Sequence, residues 1–171
     1  MGKNQLYLNI INQKSAVVVS LIGTYDCKAD VKGRVMLPVA LKAQLSPILT
    51  DGFVIKRAVF RDCLELYPMA EWQLLMEKMN EKNRFVKKNN DFIRRFTAGV
   101  KVVAIDSSGR LLIPKNLMGI ASISQEVVLS AAINIIEIWD KTQYENVLEE
   151  TTQDFASLAE EVMGDGEHHL S

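Results

Sequence analysis

The stretch Asp30–Leu41, DVKGRVMLPVAL, returns 76 residues later as DSSGRLLIPKNL, Asp106–Leu117. No other feature of the 171-residue chain constrains its fold as much. Five of the twelve positions are identical (Asp, Gly, Arg, Pro and the last Leu), and the three after the Arg are apolar in both copies. Charged and turn-forming residues are kept while those between them drift, which neither chance nor core packing produces.

The repeat extends beyond these twelve residues. Gly23 precedes Asp30 by seven residues, as Gly99 precedes Asp106. Further on, Phe53–Pro68 corresponds to Glu126–Asp140, with Glu65 over Glu137 and Tyr67 over Trp139. Trp72 then aligns with Tyr144. The offset here is 72 rather than 76, so the second copy is four residues shorter in its middle. Each unit reads as strand, glycine turn, strand, proline, short helical turn, strand pair and helix. In Cys63–Tyr67, Leu64 and Leu66 share one face and Glu65 takes the other, the alternation of a half-buried strand. Pro38 and Pro114 end strands and suit the first turn of a short helix.

These readings divide the chain into five parts: an N-terminal extension over 1–20, a first repeat over 21–80, a linking helix over 81–98, a second repeat over 99–148 and an acidic tail over 149–171. In the linker, Phe85, Phe92, Ile93 and Phe96 space as one helical face, and Lys87, Lys88, Arg94 and Arg95 supply charge. The stretch after Asp140 reads as one helix. Two units are too few for a solenoid, and each alone has too little sheet to bury both faces. An α+β fold with two pseudo-two-fold copies sharing one β core is the economical solution.

The net charge of −1 hides a division. Thr24–Lys101 holds fifteen Lys and Arg against nine Asp and Glu, whereas Asp140–Ser171 holds one Lys against nine acids. A basic body with an acidic tail presents a positive face locally, and the tail alone reads as a solvated acidic helix. Cys27 and Cys63 make no disulfide framework and read as small buried hydrophobes in a reducing cytoplasm. Ala16–Gly23 is apolar but far short of the ~20 residues of a membrane span.

Between apolar strands, Asp-x-x-Gly-Arg is a turn. Gly33 and Gly109 admit positive φ, and Asp30 and Asp106 accept backbone N–H bonds across it. Arg34 and Arg110 have two readings: partners of an aspartate, or cations aimed at an external anion. Lys32 beside Arg34, with Lys28 just before, tilts the first corner towards an exposed positive loop. In the second, Ser107 and Ser108 can donate to phosphate, and Lys115 follows Pro114. An arginine can grip phosphate or guanine bidentately, which a lysine cannot.

DVKGRVMLP and DSSGRLLIP, followed by CLELYPMAEW and IEIWDKTQYENV, resemble the MraZ family of bacterial transcriptional regulators over roughly Leu21–Leu148, in order and through both repeats. The resemblance implies a tandem swapped-hairpin β-barrel like that of AbrB and MazE, carried twice in one chain. It implies ring-shaped homo-oligomers, an octamer being one candidate size, on double-stranded DNA. Their target would be repeated motifs upstream of the cell-division and cell-wall gene cluster, in the cytoplasm at the nucleoid. On the motif positions it implies that Arg34 and Arg110 contact DNA while Asp30 and Asp106 hold the loops. Ser108 stands where a basic or amide residue is more typical, so phosphate contact is expected to be weaker at the second corner.

Catalysis is not expected. The two histidines, His168 and His169, sit at the extreme C-terminus, and no phosphate-cradling glycine loop is present. Glu65 and Glu137 read as symmetric strand positions, and the aromatic pairs Tyr67/Trp139 and Trp72/Tyr144 as core or oligomer contacts. No cofactor, metal or small-molecule substrate is implied. The rival reading is a non-catalytic, antitoxin-like oligomeric interaction module with the same fold.

Overall fold

In a computed structural model, residues 20–152 and 154–164 are described. The expected extension, apart from Ser20, and the histidine pair lie outside them. In the first repeat, β1 (Thr24–Lys28) and β2 (Arg34–Met36) flank the glycine turn. Pro38, with no N–H to contribute, stands as the N-cap of α1 (Val39–Leu45), and a 3-10 turn over Ser46–Asp51 follows. The hairpin β3 (Phe53–Arg57) and β4 (Leu64–Pro68) leads into α2 (Met69–Asn80) and α3 (Lys87–Thr97). The second repeat supplies β5 (Lys101–Val103), β6 (Arg110–Leu112), α4 (Lys115–Ile120), β7 (Glu126–Ala132) and β8 (Ile135–Asp140). Two helices close it, α5 (Lys141–Thr152) and α6 (Phe155–Gly164), where the sequence reads as one.

Strands are exchanged between the repeats. The large antiparallel sheet runs β1-β7-β8-β4-β3-β5, so β1 lies on the second repeat's hairpin and β5 on the first's. Strands β2 and β6 pair with each other, as a separate ribbon. A pseudo-two-fold axis passes through Glu65↔Glu137 on one side and Val35↔Leu111 on the other. Single bridges, Ala29↔Val35 and Ile105↔Leu111, join the ribbon to the chain segments beside it. Among the described residues these do not make a closed hydrogen-bonded barrel: β2 and β6 are three residues long and meet their outer neighbours at one residue each.

Between sheet and ribbon lies one core. Val35, Leu37 and Leu41 meet Leu111, Ile113 and Leu117, their counterparts 76 residues on, over Phe53, Ile55, Leu64 and Leu66. The four-residue shortfall of the second copy is divided. Pairs Ile55↔Leu66 and Leu129↔Ile138 show β7 offset from β3 by 74 and β8 from β4 by 72. Two residues are therefore lost before the hairpin and two within it, where Ile133 and Asn134 alone make the turn. Phe85 does not join the helical face the spacing suggests. It precedes α3 and is fully exposed, while Phe96 stacks on Trp72 with centroids 6.2 Å apart. Cys63 is buried and Cys27 half-buried, both unpaired, and burial pushes their thiols up to about 12 and about 11.

Candidate nucleic-acid interface

Each D-x-x-G-R corner is a closed hydrogen-bonded loop. At the first, the N–H groups of Lys32 and Arg34 donate to Asp30 Oδ1, each at 2.9 Å, and Arg34 Nε donates to Oδ2 at 2.6 Å. The second repeats this: Ser108 and Arg110 N–H to Asp106 Oδ1 at 2.9 Å each, and Arg110 Nε to Oδ2 at 2.9 Å. Gly33 and Gly109 close the turns at φ +84° and +80° and donate to the aspartate carbonyls. Both carboxyls are held below the usual range, first by the arginine's backbone N–H and then by its guanidinium and the second turn N–H. The aspartates therefore remain ionised at neutral pH and fix the loops.

The two readings of the arginine are compatible in this geometry. The carboxylate takes Nε only, and among the described residues the Nη groups of Arg34 and Arg110 have no protein partner. Each guanidinium is held along one edge and left free along its end. That free end is the fork that accepts phosphate oxygens or the O6 and N7 of guanine.

The swap places the corners together. Leu37 N–H donates to Gly109 O at 3.0 Å, and Ile113 N–H to Gly33 O at 2.9 Å, so each turn is pinned to the other repeat's strand. In the ribbon Arg34 stands opposite Leu112 and Met36 opposite Arg110. Val35 and Leu111 point into the core, so the two arginines share the outward face. Sequence alone gives two separate corners; the structure gives one face with two.

Of the lysines singled out in the sequence, Lys32 is exposed within the first turn, and Lys115 is exposed at the start of α4. Lys28, at the end of β1, faces Glu126 in the ladder and forms an exposed ion pair with it at 3.3 Å. A further cation escaped the sequence reading. A Cβ at Gly109 would lie 3.1 Å from Lys42 Nζ, which places this α1 lysine against the second corner. Its counterpart 76 residues on is Met118, whose Sδ sits in the same relation to Gly33 at 2.9 Å. The repeat alignment pairs these two positions, but only knowledge of the swap says which corner each one serves. The corner with Ser108 in place of Lys32 thus receives a lysine from the other repeat.

Elsewhere, the carboxylates and aromatics of the repeat pack as structure. Lys56, almost fully buried, donates to Glu65 at 2.9 Å and lies 4.3 Å over the Phe96 ring. Tyr67 donates to Glu65 and Trp139 to Glu137, and Tyr67/Trp72 and Trp139/Tyr144 meet edge to face. Among the described residues no cluster of His, Cys, Asp and Glu is arranged to hold a metal, and no helix is long and apolar enough to cross a membrane.

Comparison with known proteins agrees with the two-copy reading. The family model of the MraZ protein, described as antitoxin-like, matches twice, over residues 21–95 and 96–165. The second match runs past Leu148 into the acidic tail. The chain is 68% identical over 147 residues to the transcriptional regulator MraZ of Christiangramia forsetii, covering 86% of this chain and 95% of that protein. It is 60% identical over 155 residues to the Flavobacterium psychrophilum protein of that name, covering 89% and 99%. The namesake in Bacteroides thetaiotaomicron is 34% identical over 149 residues, covering 86% and 95%. With both copies of the motif, both hairpins and nearly the whole length of its relatives accounted for, the chain belongs to the MraZ family, as two tandem MraZ domains.

Proposed function

We propose that the protein is a sequence-specific, double-stranded DNA-binding transcriptional regulator whose β2–β6 ribbon is the DNA-facing surface. The observation that carries this is the pair of arginines on one outward face, each held by its aspartate with its Nη fork free. Lys32 and Lys42 add charge beside the corners, and Lys115 is a further exposed contact. Arg34 and Arg110 would reach base edges while the turns fix phosphates. The exchange of strands between repeats and the bridges at both corners support a swapped-hairpin barrel in solution.

One ribbon offers few cations, so a single subunit binds weakly, with a salt dependence set by the few phosphates it neutralises. A ring-shaped homo-oligomer on repeated motifs upstream of the cell-division and cell-wall genes, at the nucleoid in the cytoplasm, turns later contacts into intramolecular ones. The test is fluorescence anisotropy on labelled DNA from upstream of the protein's own gene, with a scrambled duplex and an Arg34→Ala/Arg110→Ala variant over a salt series. Sequence-preferring, salt-steep binding lost in a variant that stays folded is expected. Sequence-blind binding, or a variant that merely unfolds more easily, would turn the reading to the interaction module instead.

A further inference from the structure

The residues after each arginine break the alternation expected of a half-buried strand. Val35 and Leu37 are buried, as are Leu111 and Ile113, so the residue between each pair faces outward. Such a position is ordinarily polar. Here it is Met36, 55% exposed, and Leu112, 53% exposed. A lone exposed apolar side chain means little. These two are the same position of the repeat, and they meet on the one face that carries both arginines.

The register makes the arrangement specific. Arg34 is directly opposite Leu112 and Arg110 directly opposite Met36. Opposed residues on one face of an antiparallel pair have Cβ atoms about 4.5–5.5 Å apart. The Cβ of each arginine therefore stands beside that of one apolar residue. A two-stranded ribbon, with strands about 4.8 Å apart, fits the ~12 Å major groove. On the base edges of that groove the apolar group on offer is the C5-methyl of thymine.

We propose that Met36 and Leu112 are specificity-determining residues that contact thymine methyl groups beside the base pairs reached by Arg34 and Arg110. This rests on the DNA-binding reading of the same ribbon. The arginines supply grip and guanine preference; the apolar pair adds discrimination at neighbouring base pairs without adding charge.

The test removes the methyl group and nothing else. In the tightest-bound upstream duplex each thymine is replaced singly by deoxyuridine, and affinity for the full-length protein is measured by anisotropy. The wild type should lose about fourfold at one or two thymines, the weight of one methyl group taken from water. Met36→Ala or Leu112→Ala should lose as much on the thymine duplex and nothing further on the matching uracil duplex, with unchanged thermal melting. Wild-type indifference to every uracil, or variants that stay as methyl-sensitive as the wild type, would overturn the assignment. The Arg34→Ala/Arg110→Ala variant separates the two levels. Arginine-dependent, sequence-preferring binding without methyl dependence sinks this inference alone, whereas absence of such binding sinks the DNA reading with it.

Discussion

Gly33 and Gly109 hold the same place in the motif and nearly the same φ, yet their surroundings differ. Any side chain at positive φ costs about 1–2 kcal/mol, so alanine should hurt at both. At Gly109 the new methyl meets the flexible end of Lys42, which can move. At Gly33 it meets the Ile113 carbonyl oxygen, a backbone atom, at 2.7 Å. Gly33→Ala should therefore cost a further ~1–3 kcal/mol of overpacking, read as a lower urea midpoint than for Gly109→Ala. The aspartates make a pH prediction. Their folded pKa is depressed, so the stability they contribute is present above the ordinary value of 3.8 and fades as pH falls through the folded one. An Asp30→Asn/Asp106→Asn variant should melt lower at pH 7 and lose less melting temperature than the wild type on acidification below about pH 4. The roles of Asp and Gly in the turn were legible from residue chemistry. The double use of the arginine was not, because spacing cannot say which edge of a guanidinium the carboxylate takes.

The run of elements along the chain was readable where the pattern is local, as in the Leu64–Leu66 alternation, and the neighbours of a strand were unreadable where they come from elsewhere. Lys56 sits in a strand that reads as ordinary, yet it is almost fully buried. Its reason lies across two ladders: it faces Glu65 in β4, and Glu65 directly faces Glu137 in β8. Like charges directly opposite destabilise a sheet, and Lys56 supplies a cation to Glu65 from the strand on its other side. Removing one partner of such a buried pair costs about 3–5 kcal/mol. Lys56→Met should lower stability by about that much in chemical denaturation. Adding Glu65→Gln should restore a good part of it, since the stranded carboxylate is then gone; a double variant no better than the single would mean that packing under Phe96 is what matters. The helices show the same limit. The 3.6-residue spacing placed Phe92 and Phe96 on α3, but it could not exclude Phe85, since what precedes the start of that helix at Lys87 is the loop at Asn83, whose side chain accepts the Phe85 N–H.

At the scale of the whole molecule, the division into a basic body and an acidic tail was plain from counting. The joint face of the two corners was not, because residues 76 apart become neighbours only through the swap. That face fixes what one subunit can do: two arginines and a few lysines neutralise a handful of phosphates, and each phosphate neutralised adds about 0.9 to the slope of log affinity against log salt. High affinity then has to come from several identical ribbons acting together, which requires the DNA to present matching sites in phase. The comparison is between a duplex with one motif, one with two motifs a whole number of ~10.5-bp turns apart, and one with the second motif shifted by half a turn. If subunits act as an assembly, the in-phase pair should bind on the order of a hundredfold more tightly than the single motif. Its salt slope should be close to double, because twice as many phosphates are covered. The half-turn shift should return both quantities towards the single-motif values, since the second site then faces away from the assembly. A subunit acting alone would instead gain only the statistical factor of about two from a second site, keep the same slope and ignore the phase.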